Sequence, residues 1–324
     1  MSRAHRPLRT GVVGVGYFGR FHAQKYAALE GSELVAVVDI DPARAKAVAQ
    51  AHGVRAAVDY REIIDDVDAV SVATPAVTHY PIARAFLENG VHVLVEKPIA
   101  ATVEEASSLV ALAAEKGVLL QVGHQERLFM AERDLHALVE SPFDIHCRRT
   151  GPFTGRGTDC SVIMDLMIHD IDFVHSLVSS PVAEVSGFGA QVYTGHADEA
   201  YVTVYLDAGC MVRLVASRAS DDHHRSARIA QADGVIEVDF LNRICRHSRV
   251  GPIEPRKNEG AVGGDGNGGV TADNDLGQAM AAFLDAAHTG TTPIVTGEDG
   301  LRALETALRI EEALTVRPRA APQS

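Results

Sequence analysis

RTGVVGVGYFGRFHAQKYAALEGSELVAVVD, residues 9–39, decides how the chain is read. The apolar run 9–16 ends in glycines, as a strand buried on both faces of a parallel sheet does. Residues 19–29 have helical spacing, and 33–39 form the next strand. Between the first strand and the helix stand Gly14, Gly16 and Gly19, in the pattern G-x-G-x-x-G. Gly14 permits a tight turn, Gly16 lets a pyrophosphate approach the backbone, and Gly19 lets helix pack on strand. The helix N-terminus offers free N–H groups and a positive dipole end to phosphates. Asp39 closes the second strand 20 residues after Gly19, where a carboxylate accepts hydrogen bonds from an adenosine ribose. Tyr17 and Phe18 in the turn, and Ile40 after the acid, complete the candidate dinucleotide cradle. Asp39 and Asp41 repel a 2′-phosphate, and the nearest arginine, Arg44, is expected on the following helix, so the cofactor expected is NAD rather than NADP.

The same alternation continues outward. Pro42 opens a helix over 43–51, strands recur at 68–73, 91–95 and 118–122, and helices fill 79–89 and 102–116. This is an α/β pattern, a doubly wound parallel sheet, and it stops near residue 125. The expected division is therefore a Rossmann domain over 1–125 and a second domain over 126–324. The second half begins with a helix at 162–178. Strand-like runs follow at 182–193, 200–206, 210–218, 226–232 and 234–240, separated by short polar or glycine breaks, as in a mainly antiparallel sheet. Residues 251–271 are rich in glycine and read as a mobile loop, either a lid or a spacer. Helices at 274–288 and 297–315 precede a tail, VRPRAAPQS, that reads as disordered.

Bulk properties narrow the function classes. The 324 residues are 46% hydrophobic and 23% charged, ordinary for a two-domain globular enzyme. A net charge of -13 gives no electrostatic reason to hold nucleic acid or an anionic membrane. Cys147, Cys160, Cys210 and Cys245 form no C-x-x-C pair, so the chain reads as a reduced, cytoplasmic protein with buried thiols. No apolar signal segment follows the short basic stretch Met1 to Arg9.

Catalytic candidates sit at strand ends and on the 162–178 helix. Glu96, Lys97 and Pro98 follow the strand VHVLV, and ligands of doubly wound sheets bind beyond the carboxyl ends of strands. Lys97 is thus expected near a substrate hydroxyl, the plain alternative being a surface lysine. In DLMIHDID, residues 165–172, Asp165 and His169 lie one helical turn apart, and with Asp172 they share a face. A carboxylate beside an imidazole raises its basicity and fixes its orientation, which suits a base that deprotonates an alcohol as hydride leaves the same carbon. Such chemistry needs no metal, and none is assigned. Thr74, Pro75 and His79 follow another strand and are expected on the nucleotide side, or as a plain turn. His124, Gln125 and Arg127 follow the last Rossmann strand and are expected to touch nicotinamide or sugar, or to cap that turn. Arg148, Arg149 and Arg156 concentrate positive charge in RRTGPFTGRGT, residues 148–158, just before the 162–178 helix. Guanidinium forks match a diphosphate, though a basic loop or a subunit contact is equally consistent.

With these motifs in order, the sequence resembles the glucose–fructose oxidoreductase, inositol 2-dehydrogenase and rhizopine-catabolism family. The resemblance spans nearly the whole chain. It rests on GVGYFGRFHA, on ATPAVTHYPIARAFLENGVHVLVEKPIA at 73–100, on DLMIHDID, and on PIVTGEDGLRALETALRIEEAL at 293–314. It implies a Rossmann domain followed by an open-faced sheet domain that makes dimer or tetramer contacts. It also implies an active-site role for Lys97 and for the Asp165–His169 pair. Within the family, GRFHAQKYAAL, LLQVGHQERL, FTGRGTDCSVIMDLMIHDIDF and CMVRLVASRAS resemble members that act on a UDP-sugar. Those members oxidise the C3 hydroxyl of UDP-N-acetylglucosamine to a keto sugar for an aminotransferase that modifies lipid A precursors. Leu128 and Met130 depart from that group's G-H-x-E-R-F-N-P pattern, with Phe129 keeping an aromatic shifted by one. Two alternatives stand beside this reading. One is a dehydrogenase of another sugar, a UDP-sugar uronate or an inositol. The other is a dinucleotide-binding regulator without catalysis.

Overall fold

The chain divides into two compact units, Met1–Leu128 with Gly269–Leu301, and Phe129–Gly268 with Arg302–Ser324. The computed structural model describes residues 6–250 and 272–319. The glycine-rich stretch 251–271 and the final five residues lie outside the described residues. A cut at 125/126 leaves the helix Ala272–Thr289 in the second half of the chain, whereas its packing puts it in the first unit.

In chain order the first unit holds β1 (Leu8–Val13), α1 (Gly19–Ala28), β2 (Ser32–Val38), α2 (Pro42–His52), β3 (Arg55–Ala57), β4 (Ala69–Val72), α3 (His79–Glu88), β5 (His92–Val95), α4 (Val103–Lys116) and β6 (Leu120–Val122). The six strands are parallel in the order β3-β2-β1-β4-β5-β6. Chain direction across the sheet therefore reverses at β1 and β4, where such folds bind ligands. All four residues of β4 are buried, which is why these strands read as unbroken apolar runs. The helix ends follow from local chemistry. Asp41 caps α2 by accepting from the Ala43 and Arg44 amides at 2.9 and 3.3 Å, with Pro42 in the first turn. Thr102 caps α4 through the Glu105 amide at 3.2 Å. Val12, Tyr26, Val37 and Leu94 meet Met280 and Phe283 of the Ala272–Thr289 helix in one core. β3 has only the three residues RAA, too short to show a period in the sequence.

Beyond α5 (Glu126–Glu132) and α6 (Leu135–Leu138), the second unit contains β7 (Asp144–Thr150), a π turn (Ile163–Met167) running into α7 (Ile168–Leu177), and then β8 (Val182–Ala190), β9 (Glu199–Leu206), β10 (Met211–Ser217), β11 (His224–Gln231), β12 (Gly234–Asp239) and β13 (Ile244–Arg249). With α8 (Ala272–Thr289) assigned to the first unit, α9 (Gly297–Ala313) leads to β14 (Leu314–Arg317). The eight strands run β13-β12-β11-β7-β10-β9-β8-β14. Only the β10–β7 and β14–β8 pairings are parallel. In β9, Ala200, Val202, Val204 and Leu206 are buried while Tyr201 and Tyr205 are exposed. One face of the sheet is thus the core and the other is open.

Arg148 and Arg149 lie on β7, a strand not assigned from the sequence, paired with β10 and β11. Two other expectations for this unit are corrected. The 162–178 segment is not one regular helix, because its first turn has π geometry. Residues 316 and 317 of the tail belong to β14, and Leu314 fills space that side chains at Gly187 and Gly189 would occupy, at 2.9 and 2.6 Å from their would-be Cβ atoms. Among the described residues, no helix is long and apolar enough to cross a membrane.

Candidate active site

The turn after β1 is built by collision limits. Gly14 has φ +84°, and a Cβ there would stand 2.6 Å from the Thr74 methyl and 2.7 Å from the Ala73 carbonyl. A Cβ on Gly19 would fall 1.7 Å from the Gly14 oxygen, so helix and turn meet with no room for a side chain. Around Gly16 nothing lies within 4 Å, which leaves the backbone there open to a ligand. Asp39, 5% exposed at the end of β2, accepts from the Val15 amide at 3.0 Å and from the Asp41 amide at 3.0 Å. The acid therefore clamps the glycine turn. Arg44 is on α2, as expected. Its guanidinium also reaches back to both Asp39 oxygens at 3.0 and 3.2 Å, a contact not foreseen from the sequence. Tyr17, Phe18 and Ile40 are exposed, Ile40 at 92%. An open amide turn, an N-terminal helix end and a pre-set carboxylate acceptor fit a dinucleotide.

At the next strand ends, His79 is 1% exposed and lies 2.8 Å from the carbonyl oxygens of both Thr74 and Pro98. It fastens the loop after β4 to the loop after β5. Burial pushes its pKa below the usual imidazole value. Thr74 also accepts from the Thr78 hydroxyl at 2.8 Å. Pro75 is extended, with φ -59° and ψ 141°. Glu96 and Lys97 are half-buried beyond β5. The Glu96 carboxylate lies 3.0 Å from His22 Nε2 on α1, and a Cβ on Gly123 would meet it at 2.9 Å. His22 is fully buried and was missed by sequence reasoning. His124 is 2% exposed, while Gln125 is half-buried. Arg127 pairs with Asp299 at 3.3 Å within the first unit.

In the second unit the π turn carries Asp165 and α7 carries His169, both half-buried. π turns recur at functional sites because the extra residue re-aims a side chain. Ser161 caps this segment, its hydroxyl accepting from the Ile163 and Met164 amides at 3.2 and 3.3 Å and donating to Glu311. Asp172, expected on the catalytic face, is 1% exposed. Asp170 forms a fork with Arg149, whose nearest contact is 2.7 Å, and both side chains are under 5% exposed. Arg149 thus ties α7 to β7 and is not set out for a diphosphate. Arg148 is half-buried on the same strand, and Arg156 is exposed in the following loop. Gly157, at φ +60°, lies on Asp165: a Cβ there would stand 2.4 Å from the Asp165 carboxylate.

Cys147, Cys210 and Cys245 are buried, and burial raises their thiol pKa values, that of Cys210 to about 11. They are packing residues. Among the described residues, no cluster of three or more His, Cys, Asp or Glu could hold a metal ion.

The chain matches two family models. The oxidoreductase family with an NAD-binding Rossmann fold (GFO/IDH/MocA) matches residues 8–124, and the GFO/IDH/MocA C-terminal domain matches residues 135–237. It is 36% identical over 312 residues to UDP-N-acetylglucosamine 3-dehydrogenase of Acidithiobacillus ferrooxidans, covering 95% of this chain and 97% of that protein. A solved structure of that enzyme superimposes with a TM-score of 0.84 at 34% identity, covering 96% of this chain and 98% of the other. The NAD(+)-dependent scyllo-inositol 2-dehydrogenase of Bacillus subtilis is 27% identical, covering 93% of this chain and 92% of that protein.

Proposed function

This chain belongs to the GFO/IDH/MocA oxidoreductase family, and from that premise we propose that it oxidises the C3 hydroxyl of UDP-N-acetylglucosamine with NAD. The observation that carries the substrate is the full-length likeness to the Acidithiobacillus enzyme, which spans both units. NAD would be held by the turn Gly14–Gly19 around the open Gly16, with Asp39 accepting from the adenosine ribose and Ile40 beside it. Thr74 would lie on the nucleotide side, Glu96 against the cofactor, and Gln125 by the nicotinamide or the sugar. Bound NAD supplies the hydride acceptor. Lys97 donates a hydrogen bond to the C3 oxygen and stabilises the charge that develops there. His169 takes the hydroxyl proton, and Asp165 orients the imidazole and favours its protonated form. The 3-keto product suits an aminotransferase, as in lipid A precursor modification. The enzyme works in the cytoplasm as a homo-oligomer, dimer or tetramer, through the open face bearing Phe188, Tyr201 and Tyr205.

A second reading, an inositol or free-sugar dehydrogenase, is favoured by one observation. Arg149 is committed to Asp170, and a substrate without a diphosphate does not need it. The test follows absorbance of reduced nicotinamide with NAD and UDP-N-acetylglucosamine, its uronic acid, myo-inositol or glucose, with an aminotransferase drawing off the keto product. Reduction with UDP-N-acetylglucosamine alone is expected. Reduction only with another member of the panel would discard the named substrate and keep the fold chemistry. Lys97→Ala should lower turnover about 100- to 1,000-fold with NAD affinity unchanged. An equal loss of NAD binding would give Lys97 to the cofactor.

A further inference from the structure

Two aromatic rings in the second unit stand face to face at the surface. Phe153 and Tyr193 stack with centroids 4.4 Å apart and planes 21° from parallel. They remain 37% and 48% exposed, so the stack is not core packing. The loops that carry them are fastened by one buried ion pair. Asp198, fully buried, accepts from the amides of Val192, Tyr193 and Thr194 at 2.7, 2.7 and 2.9 Å. Arg218, 5% exposed, faces Asp198 at 3.5 Å and donates to the carbonyls of Gly157 and Cys160. Asp198 therefore fixes the Tyr193 loop, and Arg218 fixes the loop that begins with Phe153. Burying a charge pair to hold a surface stack makes sense if the stack must be rigid before something binds.

The position of the stack narrows what binds. Gly155 and Gly157, at φ +73° and +60°, turn the chain around exposed Arg156 and lay it on the Asp165 carboxylate. Phe153 is four residues from Gly157, hence within about 14 Å at full extension. A ligand reacting at Asp165 and His169 can span that distance through a diphosphate to a planar base.

We propose that the Phe153–Tyr193 stack is a shelf for the nucleobase of a nucleotide sugar, with Arg156 beside its diphosphate. This rests on the nucleotide-sugar reading given above. The base adds a third ring to the stack, an arrangement that aromatic side chains favour for any heterocycle. The guanidinium fork of Arg156 matches phosphate oxygens in the turn between shelf and acid.

The test titrates UDP into the full-length protein by calorimetry and measures KM and kcat for UDP-N-acetylglucosamine in parallel. Phe153→Ala and Tyr193→Ala should each weaken UDP about 10- to 100-fold. KM should rise by the same factor, with kcat little changed. Tyr193→Phe keeps the ring and should behave as the parent protein, which separates stacking from loop collapse. Thermal melting of each variant checks that the loops stay folded. Unchanged UDP affinity in both alanine variants overturns the shelf while leaving the nucleotide-sugar reading intact, and a change of subunit mass alongside it assigns the rings to a contact between copies. If the parent protein binds no UDP and oxidises only an inositol or a free sugar, shelf and reading fall together.

Discussion

The cofactor turn of the first unit and the helix bearing Asp165 and His169 in the second are secured by opposite means. The turn is fixed by what is missing: Gly14 and Gly19 have no side chains, and the contacts they permit lie within 60 residues of one another in sequence. The helix is fixed by what is added. Arg149 reaches Asp170 across 21 residues, and Ser161 reaches Glu311 across 150. A backbone device of this kind resists change sharply at one atom. A buried ion pair resists it through desolvation, because either partner left alone is an uncompensated charge.

The contrast is broken most directly at Gly19. Gly19→Ala places a methyl 1.7 Å from the Gly14 oxygen, and NADH affinity should fall on the order of 100-fold as the turn rebuilds. Gly16→Ala meets nothing within 4 Å, so that variant should melt like the parent and lose cofactor affinity only through the filled cradle. Fluorescence titration of NADH with melting curves separates the two, and parent-like NADH binding by Gly19→Ala would end the collision argument. Next in size, Asp170→Asn leaves Arg149 buried and poorly paired and should cost about 3–5 kcal/mol, lowering the melting temperature by roughly 10 °C. Removing both charges, as Arg149→Met with Asp170→Leu, should recover much of that stability. A single variant that melts with the parent would mean that water reaches the pair. The smallest effect is expected at Arg44, half-exposed beside Asp39. Arg44→Ala should alter NADH affinity by less than about threefold and deepen the bias against NADPH, since the Asp39 charge is then unopposed. Equal losses for both cofactors would show that the arginine mainly holds the acid in place.

The same contrast explains what could be read from the sequence. Gly14, Gly19 and Asp39 were legible because they stand in one pattern of fixed spacing, whatever the reach of the contacts they make. The parallel strands were legible because burial on both faces leaves an apolar run, and β9 because burial on one face leaves an alternation. β7 was not legible because DIHCRRT is polar, and its strand character comes from its partners β10 and β11. β13, ICRHSR, was missed for the same reason. His22 opposite Glu96, Arg44 on Asp39 and Arg218 beneath Asp198 are pairings that the chain path creates, and no spacing announces them. The π turn at Asp165 was also hidden, since the apolar period of 162–178 passes through it as if the helix were regular.

The two ends of the eight-stranded sheet carry a consequence for solubility. An edge strand offers a row of unsatisfied amides and carbonyls on which another chain can polymerise. At one end, Leu314 is seated over Gly187 and Gly189, so β14 acts as a plug on the glycine-bearing strand β8. At the other, β13 bears Arg246 and Arg249, whose charge repels a like strand. A chain cut after Ala313 would lose the plug and keep the guard, and it would aggregate through β8.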